Sequence, residues 1–297
     1  MKEVFTGTGV ALVTPFREDT SPDYEGLRRL VRHVTEGGVD YLVVLGTTAE
    51  TATLSPDEKT RVLQVVAEEN AGRLPLVAGI GGNHTLAVAE ELQRRNLDGY
   101  QAILSVSPYY NRPTQEGIYQ HFRYLAAHTP LPLIAYNVPA RTGSNMLPET
   151  TARLASDCPQ IIGVKEACGN LEQISRLLGQ VPDRFLVISG DDALAVPAIL
   201  EGGVGVISVL GQAIPGRFTA AVRAALGGRD GEARRMSADL DPLVELIFRE
   251  GNPAGVKALL EREGICGAQV RLPLVRASAG LRRDLDAFMR QFSPEKA

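Results

Sequence analysis

Short apolar runs and longer amphipathic stretches alternate along the chain. The runs Gly9–Thr14, Tyr41–Leu45, Leu76–Gly79, Ala102–Ser105, Leu133–Tyr136, Ile161–Lys165, Phe185–Ser189 and Val204–Val209 are rich in Val, Ile and Leu and too short to be typical helices. Unbroken apolar character over so few residues marks parallel strands buried on both faces. Between them the period changes. Tyr24–Glu36 carries Leu27, Leu30, Val31 and Val34 at helical spacing, and Pro56–Asn70 carries Val62, Leu63, Val65 and Val66 behind Ser55 as N-cap and Pro56 at the first helical position. Thr85–Arg95, Gln115–Ala127, Leu147–Ala155, Leu171–Leu178, Ala193–Glu201 and Pro215–Leu226 read the same way. Strand then helix, eight times, predicts an α/β fold, a closed (β/α)8 TIM barrel. Beyond Leu226 the strands stop. Glu232–Arg249, Pro253–Glu261 and Pro273–Arg290 predict a three-helix C-terminal appendage, which divides the chain into a catalytic barrel, 1–226, and a helical domain, 227–297, with Gly227-Gly228-Arg229-Asp230-Gly231 as the hinge.

Composition narrows the function classes. The 297 residues suit one barrel with an appendage. A net charge of −4 with Lys and Arg spread along the chain predicts no nucleic-acid surface. No apolar run approaches the roughly 20 residues of a membrane span, and the polar stretch before the first strand is too short for a signal peptide, so a cytoplasmic protein without membrane contact is expected. Cys158, Cys168 and Cys266 form no C-x-x-C pair, which fits a reducing compartment. Cys168 lies near Lys165, but with no His close to it in sequence it reads as a small apolar filler. His33, His84, His121 and His128 are scattered without metal-ligand spacing, so neither a metal nor another cofactor is predicted. Gly79-Ile80-Gly81-Gly82 and Gly7-Thr8-Gly9 lack the third glycine of a dinucleotide fingerprint and read as tight turns. The glycines before strand eight lie at the wrong end of the barrel for an active-site loop.

A barrel of this kind carries its chemistry at the C-terminal ends of the strands. Strand two ends in Gly46-Thr47-Thr48-Ala49-Glu50, strand five in Tyr136-Asn137-Val138-Pro139-Ala140-Arg141-Thr142-Gly143, and strand six in Gly163-Val164-Lys165-Glu166. The stem of Lys165 leaves an apolar strand. A dry setting disfavours an ammonium, and a neutral amine can attack a ketone to give an iminium that withdraws electrons from the neighbouring carbon. From that residue alone, the plainer account is a strand-end lysine ion-paired to Glu166 or another carboxylate. The Tyr136 phenol on the adjacent strand can shuttle protons, with Thr47 as relay; alone, it reads as an amphipathic core residue. Arg141 offers a planar fork that suits a carboxylate, or it is a solvated loop arginine. The Gly46-Thr47-Thr48 turn has backbone N–H groups and two hydroxyls suited to the carboxylate of a keto acid.

Taken together these motifs resemble the dihydrodipicolinate synthase/N-acetylneuraminate lyase family of pyruvate-dependent aldolases. The match runs from about Gly7 into the C-terminal helices, and the Gly-Thr-Thr-x-Glu turn, the Tyr-x-x-x-x-Arg loop and the Gly-x-Lys-Glu strand end occur in order. The loop from Tyr136 to Gly143 looks like the dicarboxylate-forming branch rather than the sialic acid or keto-deoxy-sugar branches. The resemblance implies a class I aldolase, a lyase that condenses pyruvate with aspartate semialdehyde through a lysine Schiff base. Its product would be 4-hydroxy-tetrahydrodipicolinate, on the route to diaminopimelate and lysine. It implies Lys165 as Schiff-base nucleophile and Tyr136 as proton donor and acceptor, linked through Thr47 to Tyr110, which enters from a neighbouring subunit. Arg141 would hold the carboxylate of aspartate semialdehyde, Thr47 and Thr48 would meet the pyruvate carboxylate, and backbone near Gly190 and Ile207 would line the pocket. It also implies a homotetramer built as a dimer of tight dimers. A keto-sugar-acid dehydratase or another pyruvate aldolase is the alternative within the family, and a non-catalytic barrel sensing a small acid is the alternative outside it. Ala49 stands where the family usually has Gly. At the family's lysine-feedback site Asn83 and Tyr109 are present, but Ala87 replaces the acidic residue and Lys59 a His, so weak or absent inhibition by lysine is expected.

Overall fold

The computed structural model describes residues 2–292. Among these, eight parallel strands close into a barrel in sequence order: β1 Gly7–Ala11, β2 Tyr41–Val44, β3 Leu76–Gly79, β4 Ala102–Val106, β5 Leu133–Asn137, β6 Ile161–Glu166, β7 Leu186–Ser189 and β8 Gly205–Ser208, with β8 pairing back to β1. The helices between and after them are α1 Tyr24–Glu36, α2 Pro56–Asn70, α3 Thr85–Arg94, α4 Gln115–His128, α5 Pro139–Thr142, α6 Pro148–Asp157, α7 Leu171–Leu178, α8 Ala195–Leu200 and α9 Pro215–Leu226. Three more, α10 Asp230–Phe248, α11 Ala254–Arg262 and α12 Ala279–Phe292, form the C-terminal segment. No helix is long and apolar enough to cross a membrane.

The strands are apolar throughout because both of their faces are covered. Tyr41, Val43, Val77, Leu104, Ile134, Leu186, Ile188 and Ile207 fill the barrel interior, while alternate residues pack outward against the helices. Local chemistry starts the helices where the pattern places them. Ser55 caps α2 by accepting from the Glu58 amide at 3.2 Å, and the Glu58 carboxylate returns to the Ser55 amide at 2.8 Å; such a cap contributes about 1 kcal/mol. Asp23, Thr114 and Asn170 cap α1, α4 and α7 by accepting from the Gly26, Gly117 and Gln173 amides. The outer apolar layer continues into the C-terminal helices: Leu243, Ile247, Val256, Leu259 and Leu281 share one cluster with Leu27, Val31 and Val65 of the barrel helices.

Two expectations need correction. Gly7, Thr8 and Gly9 lie within β1 rather than in a tight turn. A Cβ on Gly9 would stand 2.2 Å from the Tyr41 ring, and one on Gly205 would stand 2.0 Å from the Gly7 carbonyl oxygen, so the glycines permit close strand packing. The last helix begins at Ala279, not Pro273. Residues 271–277 instead run along the barrel, where the Arg271 amide donates to Glu50 at 2.9 Å and its guanidinium to Glu58, and Ser278 then starts the helix by accepting from the Leu281 amide at 3.1 Å. Between β5 and β6 the register shifts: Leu133 pairs with Ile161 but Ile134 with Gly163, leaving Ile162 as an extra residue.

Candidate active site

That extra residue decides where Lys165 points. Ile161 packs outward among the helices, and strict alternation from it would turn Lys165 outward too. The bulge shifts the phase by one, so that Lys165 pairs with Tyr136 on β5 and Ile188 on β7, both of them interior residues. Gly163 makes the bulge possible, because a Cβ there would stand 2.5 Å from Cβ of Leu186. The Lys165 side chain is 5% exposed, and its Nζ lies over the Tyr136 ring, 4.5 Å from the centroid. Gly190, just past β7, leaves room for the lysine stem. The plainer account of Lys165 fails here: Glu166 faces the other side of the strand, where its carboxylate accepts from the side chain of Asn137 and the amide of Cys168.

Thr47, Thr48 and Ala49 form a short 3-10 turn after β2. Thr47 and Tyr136 line one small cavity of about 90 Å³ at the barrel mouth. Thr48 is buried, and its hydroxyl accepts from Asn252 Nδ2 at 2.9 Å. Arg141, exposed on α5, lines an adjoining cleft of about 390 Å³ together with Thr47, Tyr109, Asn252 and Leu274. One of its guanidinium nitrogens reaches the Asn252 carbonyl at 3.5 Å. Ile207 sits in the barrel interior. Tyr110 is apart from all of these. It is 90% exposed at the tip of the loop after β4, with a φ of 72°.

The model of the dihydrodipicolinate synthetase family matches residues 4–292. The chain belongs to the dihydrodipicolinate synthetase family. Within that family it is 53% identical to the 4-hydroxy-tetrahydrodipicolinate synthase of Flavobacterium psychrophilum, over 98% of this chain and 99% of that one. The crystal structure of dihydrodipicolinate synthase from Thermotoga maritima superposes with a TM-score of 0.94 at 38% identity, covering 97% of this chain and 98% of the other. A dihydrodipicolinate synthase variant described as monomeric gives the same TM-score and identity, covering 98% and 97%.

Ala49, the departure from the family pattern, fits the turn without left-handed backbone strain. The left-handed residue of the turn is Glu50, with φ 55°, and Ala49 has no positive φ. Sequence reasoning missed what holds this turn. The Glu50 carboxylate is buried against Lys257 of α11, whose Nζ donates to it at 2.5 Å and to the Gln269 carbonyl at 2.7 Å. Burial pulls the Lys257 pKa down and Glu50 opposes that. Thr14, in the loop after β1, fastens the turn by donating to the Ala49 carbonyl at 2.8 Å. The glutamate in Gly-Thr-Thr-x-Glu was the visible signal; its partner lies 207 residues away and was not. Cys168 is held as a thiol, since burial and the neighbouring Glu166 push its pKa up to about 12.

Proposed function

We infer that this chain is a Schiff-base lyase that condenses pyruvate with aspartate semialdehyde to 4-hydroxy-tetrahydrodipicolinate, in diaminopimelate and lysine biosynthesis. The observation that carries the reading is the in-register pair of Lys165 and Tyr136, facing each other inside the barrel mouth.

The Lys165 amine adds to C2 of pyruvate, the carbinolamine loses water, and the resulting iminium acidifies the methyl group. Loss of a methyl proton gives an enamine, whose carbon attacks the aldehyde, and the aldehyde oxygen takes up a proton. The amine of the second substrate then displaces Lys165 from C2 and closes the ring. Tyr136 is assigned the proton transfers, at a phenol beside the reacting amine, with Thr47 next to it in the cavity. Thr47 and Thr48 are assigned the pyruvate carboxylate, and Gly190 and Ile207 the walls. Arg141 is assigned the carboxylate of aspartate semialdehyde, because it is the guanidinium on the cleft beside Thr47. A cationic fork argues for this aldehyde over the polyol substrates of related aldolases and dehydratases. Tyr110 is assigned to the proton relay of a neighbouring subunit, in a homotetramer built from tight dimers. Its exposure on a loop tip supports that reading. The three unpaired cysteines suit a cytoplasmic enzyme.

Borohydride reduction in the presence of pyruvate tests the core of the proposal. A covalent adduct at Lys165, absent from Lys165→Ala, is expected; no adduct in the native chain overturns it. A reductase-coupled assay with aspartate semialdehyde and with sugar aldehydes distinguishes this reaction from its relatives.

A further inference from the structure

The residues that follow the reacting pair are paired as well. Asn137 follows Tyr136 on β5, Glu166 follows Lys165 on β6, and the two stand opposite each other in register. Alternation sends Tyr136 and Lys165 into the barrel and Asn137 and Glu166 to the outer face. There Asn137 Nδ2 donates to Glu166 Oε1 at 2.8 Å, both residues being essentially without solvent exposure. The same two side chains fasten the loops that rise beside the site. Asn137 Oδ1 accepts from the Met146 amide at 2.9 Å and its Nδ2 also donates to Asn145 at 2.8 Å. Glu166 Oε1 accepts from the Cys168 amide at 3.0 Å, and Oε2 accepts from Gln173 at 3.4 Å.

Glu166 receives only neutral donors. Burial outweighs them and pushes its pKa up to about 7. A buried carboxylate without a cation is a costly way to fill space that an apolar side chain would fill better. Such local conflicts concentrate where a site needs geometry more than stability. Glu166 faces away from the mouth, so it cannot touch substrate.

We propose that Asn137 and Glu166 are positioning residues: their buried bridge on the outer face of β5 and β6 fixes the spacing and orientation of Tyr136 and Lys165 on the inner face. This rests on the Schiff-base reading above. The test compares Asn137→Ala, the isosteric Asn137→Asp and the conservative Glu166→Gln with the native chain, reading kcat, the KM for pyruvate, the rate of borohydride trapping and the unfolding transition. Asn137→Ala removes the donor to Glu166, and Asn137→Asp, assayed above about pH 8 where the two carboxyl groups cannot share a proton, replaces it with a like charge; both are expected to lower kcat and trapping roughly 30- to 100-fold, with the pyruvate KM changed by less than about threefold. Glu166→Gln keeps the Oε1 acceptor and is expected to retain kcat within about fivefold. For any variant without a cooperative unfolding transition, Gln173→Met takes its place, with about a three- to tenfold loss of kcat expected from a loosened Glu166. Folded Asn137 variants with native kcat and trapping overturn the proposal and leave the Schiff-base reading intact, as does a Glu166→Gln variant as impaired as Asn137→Asp. Absence of trapping in the native chain overturns the Schiff-base reading instead.

Discussion

A methyl group added at Gly190 would stand 3.0 Å from Cε of Lys165 and 2.7 Å from Cβ of Ala167. Ala167 belongs to the backbone that follows Lys165, so the lysine stem is the part able to give way, and it would give way toward the wrong geometry. Gly190→Ala is therefore expected to lower the rate of imine trapping with pyruvate by about 100-fold while the protein stays folded. An unchanged trapping rate would mean that the stem has more freedom than the packing shows. Arg141 predicts a different kinetic signature. It sits on the cleft rather than beside the amine, so Arg141→Ala should raise the KM for aspartate semialdehyde about 10- to 100-fold through the loss of a charge-assisted contact. Trapping with pyruvate should be left near native. Equal damage to both steps would argue that Arg141 organises the mouth as a whole. Glu166 adds a pH signature. Its pKa is about 7 in the folded chain against 4.5 for an unperturbed group, so between those values the folded state holds a proton that the unfolded state has lost. Stability attributable to this residue is greatest below about pH 4.5 and falls as pH rises to about 7, by at most about 3 kcal/mol. Glu166→Gln removes the titration. Relative to the native chain it should gain stability on going from pH 5 to pH 8 in denaturant titrations, and a constant difference across that range would refute the assignment.

At the scale of elements, the mouth of the barrel is tied strand to strand by buried polar groups. Thr14 donates to the turn after β2, and Asn137 bridges to Glu166 between β5 and β6. The Asp192 carboxylate accepts from the amides of Val209 and Leu210 after β8, at 3.1 and 2.8 Å. The Gln212 side chain closes the ring by accepting from the Val13 amide at 2.9 Å and donating to the Ala11 carbonyl at 3.0 Å. The C-terminal segment joins the same system through Lys257 of α11 and Asn252 in the loop before it. Lys257→Met would strand the Glu50 carboxylate at 1% exposure, a loss of about 3–5 kcal/mol. The double variant Lys257→Met/Glu50→Leu should recover much of that stability in thermal melts but not the activity, because the Thr47-Thr48 turn would still lack its anchor. Recovery of both would make the pair a device of stability alone. Few of these ties were legible in the sequence. The periodicity of α1, α2, α7 and α9 located those helices to the residue, and the apolar runs located seven strands within one residue at each end and β1 within three, because one-sided and two-sided burial leave different repeats. The strand-end lysine, tyrosine, threonines and arginine were legible as candidates for the same reason. The bulge at Ile162 was not, since one extra residue leaves no periodic trace and Gly163 alone does not announce it. Nor were Lys257, Asn252 and Gln212, whose partners are brought to them by closure of the barrel and not by any local spacing.

At the scale of the whole molecule, two features point beyond the single chain's mouth. Tyr109 and Tyr110 project from the loop after β4, and Leu86 at the start of α3 is also exposed. If Tyr110 serves a neighbouring subunit's relay, Tyr110→Phe should cut kcat about 10-fold or more while leaving the pyruvate KM near native, and specific activity should fall on dilution as the subunits part. Activity independent of concentration, in a protein shown to be dissociating, would remove Tyr110 from the relay. The second feature is the balance of charge around the cleft. Lys59 lines both mouth cavities and Arg141 lines the larger one. The nearby carboxylates are already engaged, Glu50 by Lys257 and the Arg271 amide, and Glu91 by Arg95. Ala87, exposed on α3 where the resemblance implies an acidic residue, carries only a methyl group. A free lysine bound here would bring its ammonium toward cations with no unengaged carboxylate among the described residues that line the two cavities, and at about 4 Å like charges near a protein surface repel by roughly 4 kcal/mol. Initial rates at saturating pyruvate should therefore be insensitive to sub-millimolar lysine, and the double variant Ala87→Glu/Lys59→His should acquire sensitivity by supplying the missing acid and removing the competing amine. Strong inhibition of the native chain in that range would mean that lysine finds its counter-charge elsewhere, and the charge argument would fall with it.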